Sequence, residues 1–181
     1  MDLVEHSNRV LEAIDNDSIV LLKKLLQGGY NINQKVILGH EYELDEPDET
    51  TILFYAIRRF ASLDIINLLI EFGADIKELN EDGLSTLDIA IKFKRLDIVK
   101  LSIDSGIDVN ISTRKSGITP LMLASCFSDM AIVSFLLENG ANINQKDKSG
   151  LRAKDYAKKL GQSKMIEFLE ANGGEYSLYK N

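Results

Sequence analysis

One cysteine, two histidines, two prolines and no tryptophan stand in 181 residues, and each scarcity removes a class of protein. A lone Cys126 cannot close an internal disulfide, so no disulfide framework holds this chain. His6 and His40 have no cysteine or carboxylate neighbours at a metal-ligand spacing such as Cys-x-x-Cys or His-x-x-x-His. Glycine steps fall at the ends of periodic segments and at turns, and no glycine-rich run suited to cradling phosphate is present. No apolar run reaches the length of a membrane span. Met1 to Val10 is polar and charged, without the apolar stretch of a secretory leader, so the expectation is a cytoplasmic protein. Without convergent nucleophile, base or metal ligands, no enzyme, no metal and no cofactor are expected.

What the chain does have is 45% apolar residues and a formal charge of −7. Residues 1–50 carry 11 acidic and 4 basic side chains, whereas residues 51–181 carry 17 of each. All the excess negative charge therefore lies in the first 50 residues. That polarity argues against nucleic acid as a partner and suits a protein with a basic surface.

Gly117 to Asn144 reads as one supersecondary unit. Thr119 is a good helix N-cap, and Pro120 follows at the first helical position, where a missing N–H costs nothing. Ile132, Val133, Leu136 and Leu137 form the apolar stripe of a second helix, and Gly140 supplies the left-handed residue that stops it. Copies recur. Ala13, Ala56, Ala90, Ala124 and Ala157 are 43, 34, 34 and 33 residues apart, and Gly29, Gly73, Gly106, Gly140 and Gly173 are 44, 33, 34 and 33 apart. The alanine-to-glycine distance is 16 residues, or 17 in the second unit. A period near 33 with Thr119-Pro-Leu-Met-Leu-Ala124 and Leu136-Leu-Glu-Asn-Gly-Ala141 resembles the ankyrin repeat, although Met122 stands where that family usually has histidine.

The resemblance implies a mainly α fold: a solenoid of helix-turn-helix units joined by short hairpin loops. The units fall at about 3–35, 46–79, 80–113, 114–146 and 147–174, forming one domain over 1–174 with a short tail at 175–181. The first and last units read as caps, with Asp2, Glu5, Arg9 and Glu12 on the outer face of one. In the last, Lys154 and Glu170 replace Leu121 and Leu137 of the preceding copy, and residues 146–164 carry seven basic and two acidic side chains. That charge reads either as a solvated cap face or as a lysine patch for nucleic acid or acidic lipid. The tail should be mobile unless Tyr176 and Tyr179 fold back onto the cap. Ser102 occupies the position of Leu136 and should weaken packing there.

Between Ala13 and Ala56 the period is broken by an insertion at 36–49. Its sequence reads as an elongated hairpin finger with two short arms around Gly39-His40. Six carboxylates, Glu41, Glu43, Asp45, Glu46, Asp48 and Glu49, crowd into nine residues around Tyr42. Two readings stand: a solvated loop, or a dedicated contact finger.

Ankyrin-repeat proteins bind through hairpin tips and the exposed end of each first helix. Matched by motif, the tips here are Glu81, Asp82 and Leu84, then Lys115 and Ile118. The first-helix ends are Arg58 and Arg59, Lys92 and Phe93, then Cys126 and Phe127, with Arg59, Phe93, Phe127 and Leu160 at one repeat position. The two phenylalanines are either interface anchors or core. The resemblance thus implies a non-enzymatic protein-binding module, monomeric when free. It is either an inhibitor or antidote covering a basic site on one partner, or a scaffold that holds a partner without inhibiting it.

Overall fold

The computed structural model describes residues 3–38 and 48–177. Ten helices are present among them, in two compact units, Met1–Glu78 and Leu79–Asn181. The fold is mainly helical, built of antiparallel helix pairs with a single two-stranded ribbon among the described residues.

In the first unit, helix α1 (Leu3–Asp15) pairs with α2 (Ile19–Gln27), and α3 (Ile52–Arg58) with α4 (Leu63–Glu71). Val10, Ala13, Leu22, Leu25 and Leu26 are buried in the first pair. Glu5, Arg9 and Glu12 are exposed, as an outer cap face requires. Ile52, Leu53, Ala56, Ile57, Ile65, Ile66 and Leu69 are fully enclosed in the second. The small buried alanine in the last turn of each first helix lets the two helices of a pair approach closely.

The insertion between these pairs is a two-stranded antiparallel ribbon, β1 (Val36–Leu38) against β2 (Asp48–Thr50). A two-residue turn at Gly39-His40 would pair Leu38 with Glu41. The register instead pairs Leu38 with Asp48, Ile37 with Glu49 and Val36 with Thr50, so the arms are not the ones expected. This register sets buried Val36 opposite buried Thr50 and brings Lys35 Nζ within 3.2 Å of Glu49. Register follows what can be buried at the base of the ribbon, which a local glycine cannot dictate. Residues 39–47, with the Gly39-His40 turn and Glu41, Tyr42, Glu43, Asp45 and Glu46, lie outside the described residues.

In the second unit, α5 (Thr86–Lys92) pairs with α6 (Leu96–Asp104), α7 (Pro120–Cys126) with α8 (Met130–Glu138), and α9 (Ala153–Lys159) with α10 (Ser163–Ala171). The first helices pack α5 to α7 to α9. Their starts follow local chemistry: Ser85 and Thr119 oxygens accept from the backbone N–H of Asp88 and Met122, as Thr51 in the first unit accepts from Phe54 at the start of α3. Pro120 sits at the first helical position, and Gly140 ends α8 with φ 87°. In the last pair Arg152 cannot cap, and Asp155 reaches back to accept from its N–H at 2.9 Å.

Asparagines tie neighbouring repeats of this unit together. Asn110 donates to the Gly140 carbonyl at 3.0 Å and accepts from Asn142 N at 2.7 Å. Asn144 repeats both contacts on Gly173 (3.0 Å) and Glu175 N (2.9 Å). Each asparagine thereby satisfies one carbonyl and one N–H that the preceding helix end leaves without helical partners. The second of these fastenings lays the chain after α10 along the path that a further repeat would follow.

Two expectations for this unit need correction. Lys154 is buried rather than part of a solvated face. Its ammonium lies 3.4 Å from Glu170 and 4.3 Å from the centre of the Tyr176 ring, which also stands 5.1 Å from Lys158 Nζ. A long stem in a leucine position can be buried when its charge finds a carboxylate and a ring at the far end. Tyr176 does fold back, helped by Arg152 on Glu175 and by Ser177, whose N–H and hydroxyl both reach Asp155. Tyr179 lies outside the described residues. Ser102, for its part, is fully buried. Its deficit is a hydroxyl without a hydrogen-bond partner among the described residues, not exposed area.

Candidate functional site

The hairpin loops of the second unit are built from short polar side chains that replace backbone partners. Asn80 Oδ1 accepts from Asp82 N at 3.1 Å and Leu84 N at 2.8 Å, and Asp147 Oδ1 accepts from Ser149 N and Leu151 N, both at 2.8 Å. Adjacent loops are stitched together: Thr113 donates its hydroxyl to the Gly83 carbonyl, and Lys148 N donates to Ser116 O at 3.1 Å. A Cβ on Gly83 would stand 2.7 Å from the Thr113 carbonyl oxygen, at a φ of 74°. Glycine is required there on both counts.

These fixed loops carry Glu81, Asp82 and Lys115 exposed, with Leu84 and Ile118 half-buried. Phe93, Phe127 and Leu160 cap α5, α7 and α9 in turn, so the packing of those helices places the three side by side at one end. Both phenylalanines are half-buried, between the two readings: part of each ring packs and part meets solvent. Exposed Lys92 holds its ammonium 5.8 Å from the Phe93 ring. Cys126 is half-buried, and burial pushes its thiol up, with the Arg114 guanidinium partly opposing. That is the environment of an inert thiol rather than a nucleophile.

In the first unit Arg59 closes α3 at the same repeat position, and Arg58 is half-buried beside it. Arg59 Nε donates to Asp15 Oδ1 at 2.8 Å, and Tyr55 donates its hydroxyl to the same carboxylate, 2.8 Å from each oxygen. Burial and then Asp15 push the Tyr55 phenol up to about 12. Arg59 is therefore pinned in a side-chain network.

Sequence reading missed this network and two others. Arg114 Nη2 lies 3.4 Å from buried Asp88, and Tyr156 donates to Asp147. Burial and that carboxylate raise the Tyr156 pKa. For the Asp88 contact the available signal was the third residue of the first helix: Asp88, like Asp155 in the last repeat, stands where Met122 stands in the best-matching copy. A buried acid at that point needs donors, and its own N-cap residue supplies the nearest. Among the described residues no three of His, Cys, Asp and Glu are grouped to hold a metal ion. No helix among them is long and apolar enough to cross a membrane.

Comparison with known proteins agrees with this architecture. A family model described as ankyrin repeats (3 copies) matches residues 10–113 and 94–179. The fowlpox virus (strain NVSL) ankyrin repeat protein FPV244 is 26% identical over 144 residues, 80% of this chain and 19% of the relative. The NF-kappa-B inhibitor cactus of Drosophila melanogaster is 33% identical over 106 residues, 56% of this chain and 21% of the relative. The ankyrin repeat and KH domain-containing protein mask-1 of Caenorhabditis elegans is 31% identical over 140 residues, 75% of this chain and 5% of the relative. The chain thus spans about a fifth or less of the length of these relatives. With repeat matches running from residue 10 to residue 179, the chain belongs to the ankyrin-repeat family, whose members are typically non-enzymatic protein-protein interaction modules.

Proposed function

We propose that this chain binds one protein partner through the hairpin tips and first-helix ends, and that it acts as an inhibitor or antidote by covering a basic site on that partner. The observation that carries the reading is the hydrogen-bonded presentation of Glu81, Asp82 and Lys115 on the hairpin loops, together with half-exposed Phe93 and Phe127 side by side at the far ends of the helices those loops lead into. The loops are held by backbone and hydroxyl hydrogen bonds between repeats, so little ordering is left to be done on binding. Carboxylates concentrated in residues 41–49 then supply attraction for a basic surface. The resemblance to a protein named as an inhibitor, cactus, supports the inhibitory form. In this reading the free chain is a monomer in the cytoplasm and carries out no chemistry. The alternative, a scaffold that leaves its partner active, uses the same surface.

The test is a pull-down from the native source with mass spectrometry, followed by surface plasmon resonance on the recovered partner at two salt concentrations. Neutralising Glu41, Glu43, Asp45 and Glu46 together should slow association and flatten its salt dependence, because charges at a rim act on encounter. Phe127→Ala should instead speed dissociation, by an amount matching about 1–3 kcal/mol for an interface anchor. Unchanged kinetics in both variants would remove this surface from the interface. Partner activity measured with and without the chain separates inhibitor from scaffold.

A further inference from the structure

The first helices of the second unit end alike. Phe93, Phe127 and Leu160 each follow the last helical residue, and the next residue, Lys94, Ser128 or Gly161, takes a positive φ of 55°, 54° or 67°. Because α7 packs between α5 and α9, these three apolar side chains fall in one row. Packed helices stand about 8–10 Å apart, so the row is about 16–20 Å from end to end. Leu160 is 55% exposed, and the two phenylalanines are half-buried. A leucine left mostly in water gives the fold only a small part of the stabilisation that its burial would give.

The exposed charge in these turns has one sign. Lys92 and Lys94 flank Phe93, Lys158 and Lys159 precede Leu160, and Lys164 stands in the first turn of α10, all of them exposed. The middle position has no charge beside it, since Cys126 and Ser128 flank Phe127. Lys92 holds its ammonium over the Phe93 ring, and Lys159 Nζ stands 5.9 Å from the centre of the Tyr156 ring, whereas Lys158 is directed to Tyr176. The two acids in the same turns are half-buried and engaged within the fold. Asp97 accepts from Arg95 Nε at 2.9 Å and Nη2 at 2.6 Å, and Asp129 accepts from Ile132 N at 3.0 Å. Along α10 the first exposed acid is Glu167, nearly a turn beyond Lys164. Glu81 and Asp82 belong to the opposite end, in the loop before α5 begins.

We infer that this row docks an amphipathic helical segment of the partner protein, apolar in its middle and carrying carboxylates toward both ends. The inference rests on the reading that the first-helix ends belong to the contact surface, and it names the chemistry they meet. Apolar side chains of the segment seat on Phe93, Phe127 and Leu160. Its carboxylates meet Lys92 and Lys94 at one end of the row and Lys159 at the other. A row of side chains offers no backbone partners, so the docked segment must satisfy its own N–H and carbonyl groups, as a helix does. Two turns of a helix advance about 10.8 Å, close to the spacing of packed helices, so apolar residues seven apart meet successive positions of the row. The partner accordingly presents charge of both signs, basic toward the carboxylates of this chain and acidic toward the row.

The test uses the full chain, labelled with nitrogen-15, and three synthetic 18-residue helical peptides with leucines at the same positions, seven apart. One carries two glutamates at each end, the second carries the same four glutamates in its middle, and the third carries two lysines at each end. The end-glutamate peptide should shift the amide signals of Lys92, Phe93, Lys94, Phe127, Lys159 and Leu160. It should bind at least fivefold more tightly than the middle-glutamate peptide and at least tenfold more tightly than the lysine peptide. The net charge of −7 favours the lysine peptide, so general attraction cannot produce this order. Leu160→Gln should weaken the end-glutamate peptide at least fivefold and keep the unfolding midpoint, because the side chain is more than half exposed. Lys92→Glu with Lys159→Glu should turn the preference to the lysine peptide. Absence of shifts at millimolar peptide, equal affinity for the two glutamate peptides, or unaltered binding by Leu160→Gln overturns the inference. So does sedimentation with phosphatidylserine vesicles that Lys92→Glu with Lys159→Glu abolishes, which makes the row a lipid contact. If the peptides fail while Phe127→Ala still speeds dissociation of the native partner, the inference falls and the proposed function stands. If Phe127→Ala leaves the native partner's kinetics unchanged while the end-glutamate peptide binds at the row, the proposed function falls and the docking row stands.

Discussion

Glu78 offers a test of how burial and charge act in the first unit. Its carboxyl is half-buried and accepts the hydroxyl proton of Thr51, the residue whose oxygen also caps α3. Burial, with Asp75 adding repulsion against the Thr51 hydrogen bond, pushes the Glu78 pKa from 4.5 up to about 7. The folded state therefore keeps a proton that the unfolded state releases. The resulting stabilisation is fully present below pH 4.5, the value Glu78 has without these contacts, and is lost as pH rises through about 7. At about 1.4 kcal/mol per pH unit, a gap of this size corresponds to roughly 3 kcal/mol. Contact of the carboxyl with water reduces this, and about 1–2 kcal/mol remains as the working figure. Glu78→Gln keeps an acceptor for Thr51 and cannot ionise. Urea denaturation of wild type and variant at pH 5 and pH 8 should show near-equal stability at the lower pH. At the higher pH the variant should be more stable by about 1–2 kcal/mol. Taking the difference between the two proteins cancels every other titrating group. An identical difference at both pH values, or a less stable variant at pH 8, would refute the assignment.

Further predictions concern packing and the tail. Leu136→Ala should cost about 2–5 kcal/mol in chemical denaturation, since Leu136 is fully enclosed between stacked helices. Ser102→Ala at the matching site should stabilise by about 1 kcal/mol, because it removes a buried hydroxyl that has no partner among the described residues. Tyr176→Ala should lower stability by about 1–2 kcal/mol, as expected for a cation–π contact with a largely desolvated ammonium. It should also increase acetylation of Lys154 by an amine-reactive label read by mass spectrometry, whereas labelling of Lys115 should not change. Equal labelling of Lys154 in both proteins would mean that Tyr176 does not shield it.

The repeat period, the helix starts and the helix stops were legible in the sequence because each is decided within a few residues. Thr119 caps through an oxygen three residues from the N–H it satisfies, and Gly140 ends α8 by a backbone angle that depends on its missing side chain. The buried stripe of Ile132, Val133 and Leu136 follows from helical spacing alone. Even the longer second unit was visible as a count, though not as Ala61 placed in a turn beside an exposed Phe60.

The tertiary structure decided whatever depends on a partner distant in the chain. The ribbon at 36–50 took its register from burying Val36 against Thr50, so a local turn at Gly39-His40 did not set it. Lys154 looked like solvated charge and is buried, because Glu170 and Tyr176, 16 and 22 residues away, reach its ammonium. Arg59 looked like an open anchor and is tied to Asp15, 44 residues earlier. Periodicity assigns a residue to a face, whereas a charged side chain's burial depends on which opposite charge or ring the packed repeats bring within reach.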